Sequence, residues 1–401
     1  MGAVRLSEYA VGRDNNFTLL RFSAAMTVLF AHSVGALGLP PEREFFFHRL
    51  GFSLGEMGLD MLFVTSGFLV TASLLGRQDL IAYLWARILR VYPGLLMMLV
   101  LTVFVLAPAL TTLPRADYFA SPLTWEYFSK CATLIGGVRF SLPGVFETVP
   151  LKGAFNGSLW TMPVELRMYL YLAAIWVALA VAPALRLKAM RFLLPMSAAG
   201  LLVLVLKAEL TGVGFNGANI RVFMFLYGSS LYLWRDKMPI GPWLLAGILA
   251  ALVLASFDKT VFFVAYVACL APLVLHLVYV PGGRIRAFND WGDYSYGVYI
   301  YAFPVQQTLA LLFPAMSLGM MMGSSAVVSV AIAIMSWKLI EERALAMKGN
   351  CAEATSLAFN LGLAKIGWPW GLTKRERERS GAGSGAQTSY ASGARSLSSG
   401  K

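Results

Sequence analysis

"LLRFSAAMTVLFAHSVGALG", Leu19 to Gly38, has the length and apolar character of a membrane-spanning helix, which needs about 20 such residues. It also holds Arg21 near one end and His32 near the other, and an ionisable side chain inside a bilayer is functional by default. At 100° per residue the two positions return to within about 20° of each other, on one helix face and about 16 Å apart along the axis. Arg21 alone is equally well read as snorkelling to headgroups. For His32 the functional reading leads, because neutral imidazole is a ready proton acceptor with an ordinary pKa of about 6.5.

The remaining chain extends this reading. Of 401 residues, 58% are hydrophobic and 13% charged, and mean hydropathy is +0.66, whereas soluble domains carry about 25% charged residues. The expected fold is all-α, a polytopic membrane protein of one domain. Apolar runs at 17–37, 56–75, 91–112, 159–184, 191–207, 219–234, 240–257, 260–280, 296–314 and 318–340 predict about ten transmembrane helices. Segment 127–142, which carries Lys130 and Arg139, reads as a re-entrant or interfacial piece of the long loop 113–158.

The net charge of +12 does not point to nucleic acid, because the basic residues sit at the ends of apolar runs. Arg77, Arg87, Arg90, Arg186, Lys188, Arg235, Lys237, Arg284, Arg286 and Arg343 fall on one side, and fewer per loop on the other. The positive-inside rule then puts both termini in the cytoplasm, and a full crossing by 127–142 would break it. No cleavable signal peptide is expected, and Cys131, Cys269 and Cys351 lack metal-site spacing. Residues 1–349 read as the membrane domain and 350–401 as a cytoplasmic, disordered tail ending in a Gly/Ser-rich run.

Two carboxylates accompany His32. "GEMGLDMLFVTSGFLV" (55–70) carries Asp60, and "NGSLWTMPVELRMYLY" (156–171) carries Glu165. Both helices enter from outside, so both acids are expected at the depth of His32, where one of them orients the imidazole or balances its charge. The plainer reading is a structural buried ion pair. "RQDLIAYLWARILRVYPGLL" (77–96) sets Arg87 and Arg90 beside aromatic residues. That pattern fits a positive-inside anchor, or an anion site for phosphates.

Together, Arg21-x10-His32, "GLDMLFVTSGFLV", "RILRVYP", "SLWTMPVELRMYLY" and "YSYGVYIYAFPVQQ" resemble the membrane-bound acyltransferase 3 family over about Asn15 to Arg343. The resemblance implies transfer of an acetyl or other short acyl group from acyl-CoA to a hydroxyl of a surface carbohydrate or glycolipid, in a bacterial inner membrane. It implies His32 as general base with Glu165 or Asp60 beside it, and Arg21, Arg87 and Arg90 on the phosphates of acyl-CoA. Trp160, Tyr169, Tyr296 and Tyr299 are then candidates for the acceptor. No bound cofactor and no metal are expected; acyl-CoA is the donor substrate, and homo-oligomerisation stays open. Two features depart from the family. The histidine many relatives carry in the span starting at Tyr296 is absent, and "LIEERAL" lacks the proline often found after its glutamate. The rival function is a proton-coupled transporter using His32, Asp60 and Glu165 as a relay.

Overall fold

The computed structural model describes residues 4–365 apart from 13, 45, 214 and 215. Arg13, the aromatic stretch 366–372, the charge run 374–379 and the Gly/Ser-rich run to 401 lie outside the described residues. Among the described residues the structure is helical, with no strand. A helix stands at each of the ten apolar runs: α1 Phe17–Ala36, α2 Leu54–Arg77, α3 Leu80–Val100, α4 Thr161–Ala178, α5 Pro183–Thr211, α6 Gly217–Leu233, α7 Pro242–Ala255, α8 Lys259–Tyr279, α9 Ser295–Leu312 and α10 Leu318–Ser336. Seven runs among the described residues are long and apolar enough to cross a membrane: those of α1 to α5, α8 and the run starting at Leu318. Of the rest, α6 has 17 residues and α7 has 14. Helix α9 has 18, but Gln306, Gln307 and its tyrosines lower its hydropathy.

Polar caps set the helix starts. Ser53 and Glu56 form a capping box at α2; Asp79 accepts the amides of Ile81 and Ala82 at α3; Asp258 accepts that of Val261 at α8. Each satisfies amides that would otherwise lack partners. Gln78, left-handed at φ 53°, turns the chain between α2 and α3. Helix α3 continues through a π-helical segment, Leu101–Leu106, and α10 through another, Trp337–Glu341.

Glycines fix the interior packing. A Cβ on Gly67 of α2 would lie 1.9 Å from the Phe225 carbonyl oxygen of α6, and one on Gly228 of α6 would lie 2.2 Å from that of Val64. Such backbone contact is how small residues bring membrane helices together. Helix α1 packs between α2 and α9, α9 also against α10, α5 against α6, and α7 against α8. The periphery is apolar: Val203 and Leu204 of α5, Val253 of α7 and Val327 of α10 are exposed. This is what a lipid-facing surface requires.

The stretch 127–142 divides into the end of a 12-residue helix, Pro122–Thr133, and irregular chain. At 1.5 Å per residue that helix is about 18 Å long, too short to cross. The following loop turns inward: Leu142, Val145, Phe146, Val149, Phe155 and Asn156 are buried. Residues up to Ala346 form one compact unit, and a further helix, Lys348–Lys365, belongs to a second. That helix occupies the first part of the stretch the sequence reads as tail.

Candidate active site

The register of α1 against α2 sets the depth of each group. Gly55 faces Ala31, and Gly58 faces Ala24 and Thr27, so the helices run antiparallel. Asp60 is therefore level with about Ala25, seven residues or about 10 Å from His32. Glu165 lies further still. The turn Gly157–Trp160 that starts α4 sits inside the bundle, where Asn156 donates to the Ile300 carbonyl (2.9 Å) and Tyr299 to that of Ser158 (2.8 Å). Helix α4 thus begins deep, and Glu165 lands beside Arg21.

That end gathers the basic residues. Asp293, just before α9, accepts from Arg90 Nη2 at 2.6 Å and pairs with Arg21 Nη1 at 3.3 Å. Burial alone would raise this carboxyl, but Arg90, then Arg21 and the Ser295 hydroxyl, hold it down at about 2. The Arg90 guanidinium also lies 5.7 Å from the ring centroids of both Tyr296 and Trp337. Arg87 sits 5.7 Å over Tyr169, whose hydroxyl donates to Glu165, as does Ser66 at 2.9 Å. The Nε atoms of Arg21 and Arg87 are buried without a hydrogen-bond partner. Between these helices is a cavity of about 40 Å³ lined by Arg21, Thr161, Glu165, Tyr296 and Tyr299, room for a few waters. Nearby, Glu341 accepts from Ser336 at 2.8 Å, leaving its other oxygen unpartnered.

Asp60 belongs to a different cluster. Its Oδ1 lies 3.5 Å from Arg221 Nε of α6, and its Oδ2 accepts from Tyr266 of α8 at 2.8 Å. Glu56 is 3.8 Å from the same arginine. Arg221 and Asp60 are almost wholly inaccessible, at 1% and 0% exposure.

His32, half-buried, meets the Phe303 ring edge-on at 5.4 Å. Its Nδ1 makes no hydrogen bond. Among the described residues no carboxylate pairs with it. The expectation that Asp60 or Glu165 orients the imidazole is not met: one is turned to α6 and α8, the other held about one bundle level away. The polar group that reaches this part of α1 is Gln306, whose Nε2 donates to the Leu29 carbonyl (2.7 Å) and Ser33 Oγ (2.8 Å).

The aromatic residues expected on the acceptor are also tied up. Tyr169 holds Glu165, Tyr296 donates to the Val91 carbonyl at 2.8 Å, and Tyr299 contacts Thr161 at 2.6 Å. Trp160 alone is free of such bonds among these four, its ring tip 3.5 Å from where a Cβ on Gly217 would lie. Asp293, Arg221 and Gln306 escape sequence reading. Their signals are faint: an Asp two residues before a helix serine, an arginine at the third position of an apolar run, and a glutamine in a span.

This arrangement puts paired arginines at one end of a helix face and an unpartnered histidine at the other. Residues 14–338 match the profile described as an acyltransferase domain, that of the acyltransferase 3 family. The chain belongs to the acyltransferase 3 family. It is 27% identical over 354 residues to the O-acetyl transferase of Shigella phage Sf6, covering 83% of this chain and 96% of that one. It is 27% identical over 374 residues to nodulation protein 10 of Rhizobium leguminosarum bv. viciae, covering 85% and 96%. No solved structure matches. As a member of the acyltransferase 3 family, with helices apolar enough to span, the chain is a multi-pass membrane O-acyltransferase. The matched region includes the arginine cluster and His32 and ends within the second π-helical segment.

Proposed function

We propose that this acyltransferase moves an acetyl or other short acyl group from cytoplasmic acyl-CoA to a hydroxyl of a carbohydrate acceptor arriving from the opposite side of a bacterial inner membrane. The convergence of Arg21 and Arg90 on one carboxylate carries the reading. Two guanidiniums sharing one carboxylate keep a net positive charge, and Arg21 Nε stays unbonded, which suits the phosphates of CoA. With ten spans and both termini inside, the loop charges put this end in the cytoplasm. The relative named O-acetyl transferase supports transfer of an acetyl group to an oxygen; a carbohydrate is the acceptor class that the family resemblance implies.

The pantetheine arm then runs along α1 toward His32, about 16 Å away. His32 takes the proton of the acceptor hydroxyl as its oxygen attacks the thioester carbonyl. The carbon–sulfur bond breaks, and the thiolate leaves with the proton that His32 returns. Arg87 extends the positive field over the arm, Tyr296 and Tyr299 shape the cavity it crosses, and Trp160 offers a face for a sugar ring. Asp60 supports the site by fixing Arg221 on α6, and Glu165 by fixing Tyr169 against Arg87. A proton relay through His32, Asp60 and Glu165 has no such support, since Asp60 and Glu165 are bonded to different partners and neither is paired with His32.

The test supplies membranes containing wild-type or His32→Ala protein with acetyl-labelled acetyl-CoA and reads label in surface carbohydrate. Transfer should fall by about 10²–10⁴-fold at equal protein level. Wild-type transfer by the variant would remove His32 from the chemistry.

A further inference from the structure

We infer that Gln306 is the positioning residue for His32, holding its Nδ1 proton so that Nε2 serves as the base. The assignment rests on the reading of His32 above.

Three observations carry it. First, the amide orientation is forced. The group facing the Leu29 carbonyl must be a donor, so Nε2 points to Leu29 and Ser33, and Oε1 points away. That oxygen is buried and has no partner, on a side chain 1% exposed. Second, His32 Nδ1 is a buried orphan in the same region. Buried polar atoms left unbonded are rare and need an explanation. Third, the two side chains share a stretch of the α1–α9 interface. Phe303, whose ring meets His32, and Gln306 are three residues apart on one face of α9. Leu29 is likewise three residues before His32, and helix side chains lean back toward the preceding turn. In the proposed contact Nδ1–H turns to Oε1, the kind of hydrogen bond that tightens only when substrate is bound.

Among the described residues no charged group competes for the role. Glu56 and Asp60 of α2 turn to Arg221, leaving Gly55 against Ala31. On the loop above, Leu151 approaches Gly35, and Glu147 and Lys152 are exposed. A neutral amide therefore does here what a carboxylate does in a Ser-His-Asp triad: it fixes tautomer and ring orientation. Gln307, the next residue, donates to the Leu151 and Ala154 carbonyls at 2.9 and 2.7 Å. The pair thus holds α1 on one side and the covering loop on the other.

The experiment is ¹⁵N NMR of histidine-labelled protein in liposomes, where the chain has three histidines; the signal missing from His32→Gln is His32. Neutral His32 should carry its proton on Nδ1 in wild type. Gln306→Glu, which keeps an acceptor, should retain that tautomer, and so should Ser33→Ala, which disturbs the same helix contact. Gln306→Leu should lose it, and in transfer from acetyl-CoA its kcat should fall by about tenfold or more with the donor KM within about twofold. A folded Gln306→Leu protein with the wild-type tautomer, or Ser33→Ala losing it equally, overturns the inference. If the tautomers behave as expected but His32→Ala still transfers acetyl, the function reading fails and the hydrogen bond stands.

Discussion

Replacing Asp60 by asparagine tests whether this acid serves structure or chemistry. Asp60 Oδ1 lies 3.5 Å from Arg221 Nε and Glu56 3.8 Å from Arg221 Nη2. At an effective dielectric of about 20, these separations correspond to gross attractions of about 5 and 4 kcal/mol. Removing one partner of a buried pair typically costs about 3–5 kcal/mol, because the other charge stays buried and uncompensated. Here Arg221 keeps Glu56, which is 35% exposed and so more screened. Asp60→Asn should therefore lie at the low end, about 3 kcal/mol. Arg221→Met should cost as much, leaving Asp60 with the Tyr266 hydroxyl alone. The double variant leaves neither charge, so the two losses should be coupled by about 2 kcal/mol. Unfolding in mixed micelles by added SDS, followed by circular dichroism, supplies the three values. Wild-type stability in Asp60→Asn together with abolished transfer would refute the reasoning and return Asp60 to the reaction.

Three further outcomes follow from the same geometry. Arg90→Lys keeps charge but loses the planar fork that meets Asp293 and stacks between two rings, so the donor KM should rise roughly tenfold with kcat nearly unchanged; an unchanged KM removes Arg90 from the donor site. The Asp293 carboxyl, at about 2, lies below the ordinary value of about 3.9. Its contribution to stability is therefore full above about pH 4 and is lost as pH falls through 2, and Asp293→Asn should flatten only that acid limb of an unfolding profile. Gly67→Ala forces a Cβ to 1.9 Å from the Phe225 carbonyl oxygen, so α2 and α6 must part and the protein should not accumulate in membranes. Normal accumulation would show that the interface yields.

Sequence alone carried the helical class, the positions of ten helices, seven of them in runs long and apolar enough to span, and the alignment of Arg21 with His32. All three depend on local periodicity, which hydropathy and 3.6 residues per turn express directly. It also assembled the motifs of the acyltransferase 3 family in order. Depth and pairing were not legible. Asp60 and Glu165 look equivalent in sequence, since both follow the start of an apolar run. Their separation comes from where α4 begins, and that depends on a loop folding inward around Phe155 and Asn156. Arg221 reads as a loop charge until α6 is docked against α2 through Gly67 and Gly228, and Asp293 reads as a turn residue until α1 and α3 each bring it an arginine. Gln306 reads as an odd polar residue in a span until α9 lies along α1. Periodicity determines which face of a helix is apolar; only the packing of one helix on another decides which polar atoms meet, because those contacts join residues up to 277 positions apart.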